Sequence, residues 1–211
     1  MNAGKLIVFS GLDASGKTTN RNHVDMRLNS SGIDYAMTRE PGGTPFAEAM
    51  RELILCNKYD TPPLSEVLMF YAGRVEHTKS LIKPYLERGY HVLSDRYFDS
   101  SLAYQSIKCP ETKAIHDTCF PHLVVPDLTL LFDVPAEVAI ERMTRTRGAL
   151  AMDKIETRGL EYFTQVRNNF LNMAVLDPNT IIIDATKPLA EVMDETWQHI
   201  KQCIGYHSDD Y

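Results

Sequence analysis

Residues 11–19, GLDASGKTT, stand between a short apolar run, KLIVFS, and a stretch of helical period, and this junction constrains the chain more than any other feature. Gly11, Gly16, Lys17 and Thr18 have the spacing Gly-x-x-x-x-Gly-Lys-Thr. Glycine allows backbone angles and close approaches that turn several N–H groups toward one anion, and the first turn of a helix adds partial positive charge. The loop is therefore expected to cradle the phosphates of a donor nucleotide through Gly11, Asp13, Ala14, Ser15, Gly16, Lys17, Thr18 and Thr19. Lys17 is expected to reach the β- and γ-phosphates, and the Thr18 hydroxyl to take a place on Mg²⁺. Such a loop names a donor, not a reaction: GTPase switches, ATP-driven machines and small-molecule kinases all use it.

The rest of the chain repeats the strand-then-helix alternation. KLIVFS, DYAMT, YHVLS, LTLLFDV and TIIID are short apolar runs without polar alternation, as in strands buried on both faces. They predict a five-stranded parallel sheet. Helices are predicted over 18–31, 44–56, 65–88, 136–147, 157–176 and 188–204, with Gly32 and Gly89 placed for left-handed caps and Pro84 kinking or shortening the longest. The class is α/β. With 211 residues and 44% hydrophobic content, one domain is expected. A net charge of −6 argues against a nucleic-acid polymer or a membrane surface as partner, so an anionic ligand must be held by local charges. Four cysteines without paired spacing and no long apolar run predict a reduced, cytoplasmic chain.

Further constellations narrow the chemistry. NKYD, residues 57–60, matches a guanine-recognition pattern, but it precedes the third strand and no DxxG lies between Thr18 and Asn57, so it reads as a polar loop. Asp95 and Arg96 fall at the carboxyl end of that strand, where open α/β sheets bind ligands. Phe70 and Arg74 share a helical face, an aromatic plate beside a cation, which suits a base but also suits a core. Ser101 and Gln105, four apart, can address one ligand edge if their segment is helical. Pro41-Gly42-Gly43 forces a loop after the second strand.

GLDASGKTT, TREPGGT, EVLMFYAGR, DRYFDSSLAYQ, PDLTLLFDV and IDATKPL together resemble, in order and spacing, the bacterial-type thymidylate kinases. The resemblance covers roughly residues 5–200. It implies the P-loop nucleoside-monophosphate kinase fold with sheet order 2-3-1-4-5, transfer of the γ-phosphoryl of ATP to dTMP, a single domain over 1–211 and a homodimer. It also implies that Asp13 accepts from the acceptor's 3′-hydroxyl, which accounts for a carboxylate inside a phosphate loop. Phe70 then stacks on thymine, Arg74 and Gln105 meet its edge, and Ser101 and Arg51 line the pocket. Arg96 grips the acceptor phosphate and, with Lys17, Asp95 and Lys154, belongs to the catalytic set. Arg39 and Glu40 shape the acceptor loop, Tyr104 gates the ribose 2′ position, and Ala185 with Thr186 flanks adenine. Asp95 is expected to meet Mg²⁺ through water. Another P-loop (deoxy)nucleotide kinase and a non-enzymatic nucleotide switch are the alternatives.

The departures are as specific. Ala14 stands where eukaryotic-type members carry arginine, so a mobile LID, about 145–159, is expected to supply the cation from Arg145, Arg147, Lys154 or Arg158. Lys154 in DKIE replaces the arginine usual in bacterial-type members, and lysine lacks the planar fork. SIKCPETKAIHDTCFPHL replaces a glycine-rich stretch after Gln105. His116, Cys119 and His122 within it lack a fourth ligand, and Pro121 interrupts their helical spacing, so zinc is not expected there.

Overall fold

Why the strands read as unbroken apolar runs is clear from where alternate residues go. The computed structural model describes residues 3–56, 58–147 and 158–206. In β1 (Leu6–Gly11) every residue is buried: Ile7 and Phe9 join one apolar cluster, Leu6 and Val8 another. Successive side chains point to opposite faces, so a strand covered on both needs apolar residues throughout. β2 (Tyr35–Arg39), β3 (His91–Asp95), β4 (Leu128–Asp133) and β5 (Thr180–Asp184) complete a parallel sheet of order β2-β3-β1-β4-β5, the order implied by the resemblance. Phe9 pairs with Asp95 and with Leu130, while Arg39 pairs with Asp95. This register brings the carboxyl ends of β1, β2 and β3 level, and the strand order reverses around β1, where a ligand crevice opens.

The helices start and stop for local reasons. α1 (Lys17–Ser30) begins after Gly16, which has φ of 100°, and α2 (Pro45–Leu55) has Pro45 in its first turn and Thr44 accepting from the Ala47 N–H at 3.2 Å. Gly32 and Gly89 have φ of 64° and 87°, as left-handed caps require. The predicted helix 65–88 forms as α3 (Pro63–His77), one π turn (Thr78–Ile82) and α4 (Lys83–Glu87). Pro84 therefore does not end it early. Proline has no N–H to give the carbonyl one turn back, and the wider π turn lets the chain continue past it.

The region after Gln105 was open in the sequence. α5 (Phe98–Tyr104) is helical, as the spacing of Ser101 and Gln105 required. Beyond it lie a 3₁₀ turn, Gln105–Ile107, and α6 (Thr112–Cys119), which apolar period alone did not reveal. α7 (Ala136–Arg147), α8 (Gly159–Leu176) and α9 (Leu189–Ile204) finish the layers. The main core joins Phe9 and Phe132, whose rings stack at 6.0 Å, to Val24 and Leu28 of α1, Phe163 and Phe170 of α8, and Trp197 of α9. Burying each such side chain is worth about 1.5–3 kcal/mol.

Candidate active site

The phosphate loop is built as its spacing demands. Gly11 has φ of 130°, and a Cβ there would lie 2.4 Å from the Phe132 carbonyl, so only glycine lets the loop pass β4. Asn20 Nδ2 donates to the Gly16 carbonyl at 3.0 Å and pins the start of α1. Lys17 Nζ donates to the carbonyls of Gly11 and Leu12, at 3.0 and 2.6 Å. Burial, then the neighbouring charge of Arg96, pulls its ammonium from 10.5 down to about 8, against the opposing pull of Asp13, Asp95 and Asp99. A cation held at this cost is one a phosphate would strengthen. Ser15 Oγ is buried without a hydrogen-bond partner in the same loop.

Two pockets open at this end of the sheet. The larger, with about 1620 Å³ of empty space including its mouth, is lined by Asp13 to Asn20 and, across from them, by Asp95, Arg142, Arg145 and Ala185. The other, about 670 Å³ counted likewise, lies between α3 and α5; among its walls are Phe70, Arg74, Ser101, Tyr104 and Gln105. The larger is of a size for a nucleotide-sized ligand, while the one between α3 and α5 is a narrow slot with about 130 Å³ of enclosed space. Asp13, Glu40, Arg51 and Arg96 line both pockets. The two cavities thus meet at a wall carrying two arginines.

Arg96 is the centre of that wall. Its backbone has φ of 71°, a left-handed angle that costs a non-glycine residue on the order of 1–3 kcal/mol. The strain aims the guanidinium back over the loop: Nη2 donates to Asp13 Oδ1 at 2.6 Å, Nη1 to the Gly11 carbonyl at 3.2 Å, and the group lies 5.2 Å from the centre of the Tyr104 ring. Burial opposes its charge, but the carboxylates of Asp13 and Asp95 outweigh that and raise its pKa. Asp13 is thus an ion-pair partner as well as a loop residue. The Tyr104 hydroxyl approaches its other oxygen at 3.5 Å. Burial and then Asp13 raise the Tyr104 phenol, so it stays neutral.

A buried chain of polar groups fixes Arg74. Its Nε donates to Glu40 Oε2 at 2.6 Å, and Nη2 donates to Ser101 Oγ and the Tyr97 carbonyl at 3.0 and 3.2 Å. Glu40 Oε1 meets His77 Nδ1 at 3.1 Å, and His77 Nε2 meets Thr38 Oγ1 at 2.7 Å. A carboxylate only accepts, so His77 carries a proton on Nδ1. Arg74 Nη1 is buried and has no partner, leaving its two N–H groups for a ligand. On the opposite side Gln105 Nε2 donates to Glu66 at 3.4 Å.

Some expected residues sit elsewhere. Arg39 donates to both oxygens of Glu48, at 3.0 and 2.9 Å, and lines the larger pocket, not the one between α3 and α5. An adjacent carboxylate on α2 captures it. Thr186 turns its N–H and hydroxyl to Asp184 Oδ1, at 3.0 and 2.6 Å, leaving Ala185 as the pocket-lining member of that pair. Arg158 Nη1 donates to Tyr162 Oη at 2.7 Å, and its Nη2 is 3.7 Å from Glu66. Lys154 lies outside the described residues, and so does the side chain of Arg147. Among the described residues no group of three or more His, Cys, Asp and Glu could hold a metal ion; His116 instead packs on Tyr71, Phe98 and Phe120.

Sequence reasoning passed over Glu66, His77 and Arg142. Glu66 and His77 lie on the helical face of Phe70 and Arg74, so the period of α3 carried a signal for both. Arg142 lines the larger pocket and donates to the Ala185 carbonyl at 3.2 Å, and nothing local in the sequence marks it.

Residues 9–196 match the model of the thymidylate kinase family. A thymidylate kinase of Francisella tularensis subsp. novicida is 40% identical over 194 residues, which span 89% of this chain and 91% of that protein. One of Methylobacillus flagellatus is 37% identical over 197 residues, 91% and 94% of the two chains, and one of Pseudomonas fluorescens is 40% identical over 195, 90% and 91%. With the strand order and phosphate loop of the fold in place and a family match over nearly the whole length, the chain belongs to the thymidylate kinase family.

Proposed function

We infer that the chain is an ATP-dependent phosphotransferase that converts dTMP to dTDP in nucleotide biosynthesis. The observation that carries this reading is the wall shared by the two pockets: a donor on the phosphate loop and an acceptor between α3 and α5 would present their phosphates to the same Arg96 and Arg51. A phosphate oxygen is already anionic near neutral pH, so no strong general base is required. The work left to the protein is charge neutralisation and alignment. Lys17 holds the donor phosphates, Arg96 the acceptor phosphate, and Asp13 keeps Arg96 in place while accepting from the 3′-hydroxyl.

The base is read between Phe70, Arg74 Nη1 and Gln105. Ser101 acts through Arg74, which it holds, and Tyr104 stands beside Asp13 where a 2′-hydroxyl would crowd it. Asp95 and Thr18 suit Mg²⁺: Asp95 Oδ1 is buried without a partner, and its other oxygen is 3.7 Å from Arg21. These two residues would hold the ion, Asp95 through water, and the ion would neutralise charge on the donor phosphates. Arg142 and Arg145 face the donor side, so with Arg158 engaged by Glu66 the LID cation is Arg145, Arg147 or Lys154.

The chain acts as one domain and, in this reading, as a cytoplasmic homodimer. Phe46 and Leu53 of α2 and Leu64 and Leu68 of α3, all 40–50% exposed, form the apolar face offered to a second copy. No helix among the described residues is long and apolar enough to cross a membrane. ADP release, coupled to a reporter reaction and measured with dTMP, dUMP, dCMP, dGMP and AMP, tests the function. Turnover led by dTMP is expected. ATP hydrolysis indifferent to every monophosphate would leave only a nucleotide switch, and preference for a purine acceptor would move the chain to another kinase specificity.

A further inference from the structure

Gln105 belongs to two cavities. One is the pocket between α3 and α5; the other adjoins it through Gln105 and is lined by Asp60, Thr61, Pro63, Glu66, Lys108 and Arg158. In this second cavity Gln105 Nε2 donates to Glu66 Oε1 at 3.4 Å, and Glu66 Oε2 is 3.7 Å from Arg158 Nη2. The side chains of Glu66 and Arg158 are only 7% and 11% exposed. Arg158 is held in turn: Nη1 donates to Tyr162 Oη at 2.7 Å, its guanidinium lies 4.9 Å from the centre of that ring, and Tyr162 donates to the Tyr104 carbonyl at 2.9 Å.

This arrangement determines which way the Gln105 amide faces. A carboxylate accepts and cannot donate, so the side chain opposite Glu66 must present its NH₂ there and its carbonyl to the other side. Burying a carboxylate calls for a paired cation, and Arg158 supplies one from the root of α8, with Lys108 on the same cavity. We propose that Glu66, backed by Arg158, is a positioning residue for base selection: it locks Gln105 so that an acceptor, and not a donor, faces the ligand beside the unpartnered Nη1 of Arg74. An acceptor next to a donor complements the N3–H and O4 of thymine or uracil. Cytosine, with an accepting N3 and a donating N4, meets like against like at both atoms. The inference rests on the assignment of this pocket to the dTMP base.

Values of kcat/KM for dTMP, dUMP and dCMP, measured in the parent enzyme and in Glu66→Gln, Arg158→Ala and Arg158→Lys, test it. Glutamine at 66 can donate or accept, so the amide of Gln105 is no longer set. The dTMP-to-dCMP ratio is expected to fall at least ~10-fold in Glu66→Gln, mainly through KM, and to fall in Arg158→Ala. It is expected to recover in Arg158→Lys, while the dTMP-to-dUMP ratio, which reports the methyl group, stays within about twofold throughout. Equal losses for dTMP and dCMP in a folded Glu66→Gln or Arg158→Ala enzyme, with their ratio unchanged, would reduce the pair to a structural role and overturn the proposal. Should Glu66→Gln not fold, as judged by its melting transition, the ratio in Arg158→Ala decides between the two roles from the rim of the cavity. A parent enzyme without preference for dTMP over dCMP would instead defeat the pocket assignment on which the inference rests.

Discussion

Lys17 shows how a single residue links stability to chemistry. Its folded pKa of about 8 lies below the unfolded 10.5, so between these values the unfolded chain binds more protons, and this group adds stability as pH rises through the window. A bound triphosphate favours the charged form. Near pH 8, ATP binding is therefore expected to take up a fraction of a proton, read from calorimetry in buffers of different ionisation enthalpy. Lys17→Met is expected to lose that uptake and at least ~100-fold in turnover while remaining folded; near-normal turnover would sink the donor-loop assignment. Tyr104 makes a second prediction at this scale. In Tyr104→Ala the preference for deoxy over ribothymidine monophosphate, as a ratio of kcat/KM values, is expected to fall without an equal loss on dTMP, because the ring is removed and Asp13 is kept. An unchanged ratio would remove the gate.

At the scale of elements, the loop after β2 is held by what packs beneath it. Gly43 has φ of 91°, and a Cβ there would sit 2.5 Å from both His77 Nε2 and Thr38 Oγ1. Gly43→Ala is expected to cost about 2–3 kcal/mol, measured as a lower urea midpoint, and to raise the KM for dTMP more than that for ATP, since His77 holds Glu40 and Glu40 holds Arg74. A stable variant with an unaltered KM would break that chain. The segment after α7 carries the other test. Of Arg145→Ala and Lys154→Ala, the one that lowers kcat more than it raises either KM identifies the cation acting in the transition state. No kcat effect from either, nor from Arg147→Ala, would dismiss a basic LID. The strands and most helices of the protein were legible because period and punctuation are local. α6 was not, since its eight residues carry too short a pattern, and the π turn before Pro84 is a packing adjustment that no propensity announces.

At the scale of the whole molecule, the exposed apolar residues of α2 and α3 predict assembly. Leu68 is 50% exposed, so Leu68→Glu costs little as a monomer but places a charge in the proposed interface. Sedimentation equilibrium is expected to show a dimer for the parent and a shift toward monomer for the variant, with the melting transition of the fold retained. A parent that stays monomeric at tens of micromolar would remove the dimer, leaving the catalytic reading intact.

What the sequence determined by itself was the α/β class, the sheet it winds into and the place of the phosphate loop. These follow from strand and helix periods and from a glycine spacing whose chemistry is local. It also placed Asp95, Arg96, Phe70 and Arg74 on the correct elements. Only the tertiary structure decided their partners. Asp13 meets Arg96 across 83 residues, Glu40 meets Arg74 across 34 and Glu66 meets Gln105 across 39. Such pairs depend on which helix each crossover lays against which strand, and a side chain's charge state, orientation and remaining free donor are settled by those neighbours. Arg39 makes the same point: a carboxylate nine residues on holds it, and that carboxylate also accepts from the Gly43 N–H of the loop after β2.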